Sequence, residues 1–288
     1  MTVPPPDGSR DRRIEDPSNL WLIHPTSRLL LPWTLARGIS ANAVSVAGLV
    51  LGAAAALAYA RFDAWPLAVL GLVLSVGWLV ADGLDGMVAR ATGTASPLGR
   101  MLDGMCDHGV FTLIYVVLAI EVGTVGGWAL ALAAGAAHAV QSSLYEGERS
   151  RFHRRIKGTA LVAATAPASD SGLVRLYDWF AGSPDRLARA FEHRLAASPE
   201  PQVLGARYGA AAVPPMRLLS LETANVRVGM IFIACLIGDP RIFWWFEIVP
   251  LTLIAVAGLA WHRRVERSLL NSTSPAPADA PARYLVKE

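Results

Sequence analysis

Charge is scarce in this chain. Asp, Glu, Lys and Arg make up 17% of its 288 residues, against 53% hydrophobic ones, where a soluble domain carries about a quarter charged residues. With a mean hydropathy of +0.39, that deficit excludes an ordinary soluble domain. The charges that remain are crowded into blocks between long apolar runs, the pattern of a membrane protein. Cysteine is as sparse. Cys106 and Cys235 both lie inside apolar stretches, which excludes a disulfide framework. Residues 1–20 lack the apolar core of a signal peptide, and no internal repeat is found. The net charge of +3 is explained by basic residues held on the cytoplasmic side of a membrane, without nucleic acid.

Residues 1–20 are polar and Pro-rich and read as a disordered cytoplasmic N-terminus. Residues 21–41 mix Trp, Leu and Arg, are broken by Pro25 and Pro32, and read as a segment lying in the bilayer interface. Six spans follow at 42–60, 65–90, 99–121, 126–146, 217–238 and 241–262, each near the ~20 residues needed to cross the hydrocarbon. The fold class is therefore an all-α integral membrane protein, with one six-helix domain over 42–262. With the N-terminus inside, outside loops hold only Arg61 and Arg241 of the 26 Lys and Arg. That asymmetry puts both termini on the cytoplasmic side of an inner membrane. Residues 147–216 read as a long cytoplasmic loop containing an amphipathic helix after Ser183, with Leu187, Ala190, Phe191 and Leu195 on the face offered to the inner leaflet. Residues 263–288 read as a cytoplasmic tail.

The informative stretch is DGLDGMVARATGTASPLGRMLDGMCD, from Asp82 to Asp107. Four aspartates stand at the ends of two apolar helices, where an unpaired carboxylate costs at least ~2.5 kcal/mol. Asp82 and Asp85 are three apart and Asp103 and Asp107 four apart, so each pair shares a helical face. In an antiparallel hairpin centred between Gly93 and Ser96, Asp82 matches Asp107 in depth and Asp85 matches Asp103. Asp107 then lies about 12 Å along its helix from Gly99. Such a set suits two hard divalent cations with positions left open for phosphate. Gly83, Gly86 and Gly99 leave room for a ligand against the backbone, and Arg90 supplies a cation one turn beyond Gly86.

The spacing of Asp82, Asp85, Gly86, Ala89, Arg90, Gly99, Asp103 and Asp107 is similar to the full signature of the CDP-alcohol phosphatidyltransferases. That resemblance implies a membrane enzyme of phospholipid synthesis. Asp82, Asp85, Asp103 and Asp107 would bind two Mg²⁺ or Mn²⁺ ions, with Asp107 also the general base. Gly86 and Arg90 would contact the CDP group, together with Gly83 and Gly99. The implied reaction moves a substituted phosphate from a CDP-linked donor, CDP-diacylglycerol in the first reading, to the hydroxyl of a small polar alcohol, releasing CMP. The first expectation for that alcohol is inositol or a related polyol. CDP-choline or a CDP-polyol donating to a lipid hydroxyl is the reversed arrangement. The active site would face the cytoplasm, with access from membrane lipids, and homodimers are usual in that family.

Within the family, glycerophosphate- and inositol-phosphate-type members commonly show Pro and Lys where this chain has Gly104 and His108. His108 is a candidate acceptor-site residue. So are Gln141, Tyr145 and Arg149, which recur every four residues on one face at the end of the fourth span. Arg151, Arg154, Arg155 and Lys157 read as a positive-inside anchor, His138 as a core hydrogen-bonder, and Asn42 and Ser45 as helix-cap residues. Glu222, Asn225 and Arg227 fit either the cavity or the membrane interface. A divalent-cation or proton transporter is the competing reading from another class. Against it stands the position of the aspartates at one mouth, with no comparable acid in the middle of the fourth or sixth span.

Overall fold

A computed structural model of the chain describes residues 11–95, 97–161 and 183–271, without the side chains of 97–105 and 183–187. The first part of the expected disordered N-terminus, 1–10, and the end of the expected tail, 272–288, lie outside the described residues. Those described are helical, with no strand among them. A π-helical turn, Asn19–Ile23, leads into α1 (His24–Ala36). Then come α2 (Ala41–Tyr59), α3 (Trp65–Ala91), α4 (Pro97–Val122) and α5 (Val125–Arg155). After them follow α6 (Ser183–Ala196), α7 (Pro201–Leu219), α8 (Ala224–Ile237), α9 (Arg241–Phe246) and α10 (Thr252–Asn271). A second π-turn, Glu247–Leu251, joins α9 to α10.

Among the described residues three stretches are long and apolar enough to cross a membrane: Ala41–Tyr59, Trp65–Ala91 and Arg241–Asn271. A fourth arises if Pro201–Glu222 and Ala224–Ile237, bent by 41°, count as one broken span. Large apolar side chains stand exposed on these helices, Val50, Val73, Ile237 and Val256 among them, as lipid-facing positions require. The six spans read from the sequence are thus three or four among the described residues, since the expected spans 99–121 and 126–146 are not among them, and several other boundaries differ. Helix α5 runs on to Arg155, carried past the apolar run by Glu146–Arg149 and Glu148–Arg151 pairs spaced i,i+3. Helix α7 occupies part of the expected loop, and α10 extends nine residues beyond 262. From Asp11 onward the N-terminal segment has fixed partners, because Ile14 is 1% exposed and Asp16 anchors a polar cluster. The cap of α2 is Ser40, whose Oγ accepts from the Ala43 N–H.

The chain divides into two compact units, 1–153 with 213–259, and 154–212 with 260–288. In the first, small residues let helices close on one another. A Cβ built on Gly52 of α2 would stand 2.4 Å from Val110 Cγ2 of α4, and one on Gly71 of α3 would stand 2.5 Å from the Tyr59 ring. Around these contacts Trp78, Val110, Ile114, Leu118, Ile231 and Phe243 form the core. Gly52→Ala is therefore expected to destabilise the fold by about 1–3 kcal/mol through overpacking. Thermal unfolding in detergent measures the loss, and adding Val110→Ala should restore part of it.

In the second unit Arg155 is fully buried, ion-paired to Glu192 at 2.8 Å and Glu266 at 2.5 Å, and lies over the Phe191 and Tyr208 rings. Burial works against its charge, but Tyr208, Glu266 and Glu192 outweigh that and raise its pKa. Phe191 and Leu195 of α6 are buried inside the same unit. The apolar face expected to meet the inner leaflet is thus covered by protein, although Ala190 is exposed and the Leu187 side chain lies outside the described residues.

Candidate functional site

Helices α3, α4 and α5, the N-terminal segment and the turn before α8 enclose a cavity of about 440 Å³ in the first unit. Asp82 and Gly83 reach it from α3, and Asp107, His108 and Phe111 from α4. Ser142, Tyr145, Glu146 and Arg149 reach it from α5. The 3.6-residue helical period explains the selection: Tyr145 and Arg149 are one turn apart, as are Asp107 and Phe111. Asp82 and Asp107 are half-buried, and the Trp78 Nε1–H donates to Asp107 Oδ1 at 3.2 Å. Trp78 lies one turn before Asp82, so the indole steadies the α4 carboxylate from the α3 side.

Asp85 is buried and is not on the lining. Its Oδ2 accepts a hydrogen bond of 2.5 Å from Ser45 Oγ of α2. Ser45, read from sequence as a cap residue, is thus a carboxylate partner. Gly86 and Arg90 pack together, the Arg90 guanidinium lying 3.2 Å from where a Gly86 Cβ would be. Gly83 serves two purposes. It borders the cavity, and its missing side chain leaves space for Ser27 Oγ of α1, 3.0 Å from the Cβ position. Asp103 and Gly99 lie outside the residues whose side chains are described. Hard carboxylate oxygens on a half-buried wall fit the chemistry of Mg²⁺ or Mn²⁺.

Of the acceptor-side candidates, His108, Tyr145 and Arg149 line the cavity and Gln141 does not. Gln141 belongs to a buried network behind it. Arg227 Nη2 donates to Gln141 Oε1 at 2.9 Å, and Gln141 Nε2 donates to the Glu247 carbonyl and Thr252 Oγ1. Arg227 pairs with Glu222 at 2.9 Å and Glu247 at 2.8 Å, and His138 Nδ1 stands 3.2 Å from Glu247 Oε1. Glu247 stands within the sixth apolar run, where the sequence reading places no comparable acid. It is fully buried and salt-bridged rather than open to a path. The π-turn that begins at Glu247 contains Pro250, which has no N–H to offer a carbonyl.

The remaining wall comes from far along the chain. Glu15, Asn19, Ile23 and His24 line the cavity from one side, Glu222, Asn225 and Arg227 from another. Asp16 ties the two segments together. Its Oδ1 accepts from the Ser18 N–H at 2.7 Å, capping the first helical turn behind Pro17, and its Oδ2 accepts from Thr223 Oγ1 at 3.2 Å. Asn225 Nδ2 donates to Asn19 Oδ1 at 2.7 Å, and Arg217 Nε donates to the Arg13 carbonyl at 2.8 Å. Among the described lining residues acids outnumber cations: Glu15, Asp82, Asp107, Glu146 and Glu222 stand against Arg149 and Arg227. Arg149 is held by Glu146 at 2.8 Å. Burial opposes its charge, yet Glu146, Tyr145 and Glu15 raise its pKa, so it stays cationic.

A family model for CDP-alcohol phosphatidyltransferase matches residues 38–165. Cholinephosphotransferase 1 of Xenopus laevis is 33% identical over 111 residues, 38% of this chain and 27% of that protein. Cholinephosphotransferase 1 of Gallus gallus is 32% identical over 120 residues, 38% of this chain and 32% of that protein. The chain therefore spans about a third or less of the length of these curated relatives. No solved structure matches it. The matched region supplies the α3–α4 carboxylates and the α5 wall, while Glu15, Asn19, Glu222, Asn225 and Arg227 fall outside it.

Proposed function

We propose, because residues 38–165 match a family model for CDP-alcohol phosphatidyltransferase, that the cavity of this chain transfers a substituted phosphate from a CDP-linked donor to an alcohol hydroxyl and releases CMP. The observation that carries this reading is the pair of half-buried carboxylates, Asp82 of α3 and Asp107 of α4, on the wall of one cavity. Asp107 accepts the proton of the attacking hydroxyl at its carboxylate, with Trp78 fixing its orientation. Arg90, exposed and packed over Gly86 outside the cavity lining, would reach in to grip the CDP diphosphate. Asp82, Asp85, Asp103 and Asp107 would hold two Mg²⁺ or Mn²⁺ ions, which when bound neutralise the diphosphate and the departing CMP. In this reading the six spans expected from the sequence would put the site and both chain ends on the cytoplasmic side, open sideways to lipid.

The acidity of the cavity bears on the small alcohol. With Asp82 and Asp107 assigned to the ions, Glu15, Glu146 and Glu222 remain on the lining beside two arginines that are already paired, a wall that disfavours an acceptor carrying its own phosphate. An unphosphorylated alcohol remains, a polyol such as inositol or an amino alcohol. The names of the relatives favour the second, delivered as a CDP-amino alcohol to a lipid hydroxyl. Purified protein with Mg²⁺ or Mn²⁺ should release CMP from at least one of two pairings, CDP-diacylglycerol with a panel of alcohols or CDP-amino alcohols with diacylglycerol. Chelation should stop it. Absence of CMP from every pairing would sink the reading.

A further inference from the structure

One carboxylate oxygen on the cavity wall is left unmatched by the contacts described above. Glu222 is 2% exposed and borders the cavity. Its Oε2 accepts from Arg227 Nη2, and its backbone carbonyl accepts from Arg227 Nη1. Its Oε1 is buried and has no hydrogen-bond partner among the described residues. A buried carboxylate oxygen is among the costliest acceptors to leave unmatched. Beside it the wall is prebuilt from polar groups. Asn225 lies three residues on and bonds Asn19, and Asn19 Nδ2 donates to Glu15 Oε1 at 2.8 Å. The Asp16 hydrogen bonds to Thr223 and Asn225 hold that wall in place before any ligand arrives.

We propose that Glu222 Oε1, with Asn225, Asn19 and Glu15 beside it, is the headgroup-recognition subsite of this cavity, taking a hydrogen bond from an O–H or N–H⁺ donor on the small alcohol. The inference rests on the transferase reading and deepens it, since it assigns selectivity to residues outside the family-matched region. Its chemical consequence is specific. A trimethylammonium headgroup has positive charge but no donor, so it leaves Oε1 unmatched, whereas a primary ammonium or a hydroxyl satisfies it. Sites built around a hydrogen bond reject analogues that lack the donor more strongly than apolar pockets reject a change of size.

The test compares two arms, CDP-ethanolamine against CDP-choline with diacylglycerol, and inositol against choline with CDP-diacylglycerol. KM and kcat are taken from CMP release. The wild type is expected to favour the donor-bearing headgroup by about tenfold to a hundredfold in kcat/KM. In Glu222→Gln the amide oxygen stays on Arg227 and the NH₂ group turns toward the cavity, so an acceptor becomes a donor. Preference should fall to within about threefold of unity, mainly through KM. An ammonium headgroup should lose more than a hydroxyl one, because the charge goes too, and this identifies which source the subsite takes. Should Glu222→Gln not fold, Asn225→Ala and Glu15→Gln, which leave the Arg227 pair intact, are expected to move the same ratio severalfold. A readout independent of turnover is the unfolding midpoint in detergent, which CDP-ethanolamine should raise more than CDP-choline does in the wild type alone. Active wild type with equal preference for both headgroups, or folded variants with an unchanged ratio, would overturn the subsite. Inactive wild type on every pairing overturns instead the transferase reading beneath it.

Discussion

Asp107→Asn is expected to lower kcat for CMP release by about two to four orders of magnitude, the contribution of a positioned general base. The substitution is close to isosteric. Its amide would keep an oxygen for the Trp78 Nε1–H, which now reaches Asp107 Oδ1 at 3.2 Å, so the α3–α4 contact survives and the loss is chemical. What disappears is a basic oxygen able to take the hydroxyl proton, together with one negative charge in a cavity that already carries five carboxylates. The folded fraction, followed as the unfolding midpoint in detergent, should change little. Trp78→Phe separates orientation from basicity. It removes the indole donor but leaves the carboxylate, so kcat should fall far less than in Asp107→Asn. Full turnover in Asp107→Asn would leave this carboxylate as a structural hydrogen-bond acceptor and remove it from the mechanism.

That half of the cavity is legible in the chain itself, because its information is local. Asp82 and Asp107 are 25 positions apart across a single hairpin, α3 ends at Ala91 and α4 begins at Pro97, and helical periodicity fixes which residues share a face. Tyr145 and Arg149 follow from the same rule. Gln141 obeys it too, yet it points into the buried network. A four-residue repeat specifies a stripe on a helix and is silent on which part of the stripe meets a void and which meets α8 and α10.

The other half of the wall is hidden by distance along the chain. Asp16 bonds Thr223 across 207 positions, and nothing in residues 1–20 alone points to a partner there. A local signal is nevertheless present. Asp16–Pro17–Ser18 is an N-cap followed by proline at the first helical position, which argues for a helix start within a segment whose composition suggests disorder. The covered face of α6 teaches the reverse. Its amphipathicity is real, but amphipathicity says only that one side avoids water, and Tyr208 and Arg155 of the same unit cover it instead of lipid. Glu247 shows how one charge in an apolar run should be weighed. A carboxylate there demands a partner, and Arg227, twenty residues earlier, is the basic residue near enough in the next span to supply it.

Arg227→Met should produce the largest loss of stability in the molecule. Arg227 is fully buried and satisfies Glu222, Glu247 and Gln141 at once. Methionine fills much of its volume, so the substitution does little to packing and instead strands two carboxylates in a low-dielectric interior. Removing one partner of a buried ion pair costs about 3–5 kcal/mol. For a chain of this size that corresponds to a fall in the unfolding midpoint on the order of 10 °C. Because the cost lies in the stranded charge rather than in lost contacts, it has a distinctive remedy. Adding Glu247→Gln neutralises one of the two orphans and keeps a carbonyl and an amide for His138 and its neighbours, so the double variant should be more stable than Arg227→Met alone. Arg227→Lys should fall between wild type and Arg227→Met, since a single ammonium cannot span the fork of acceptors that the guanidinium holds. If Arg227→Met unfolds at the wild-type temperature, or the added Glu247→Gln lowers the midpoint further, then the network is not what joins α5, α8 and the π-turn at the floor of the cavity.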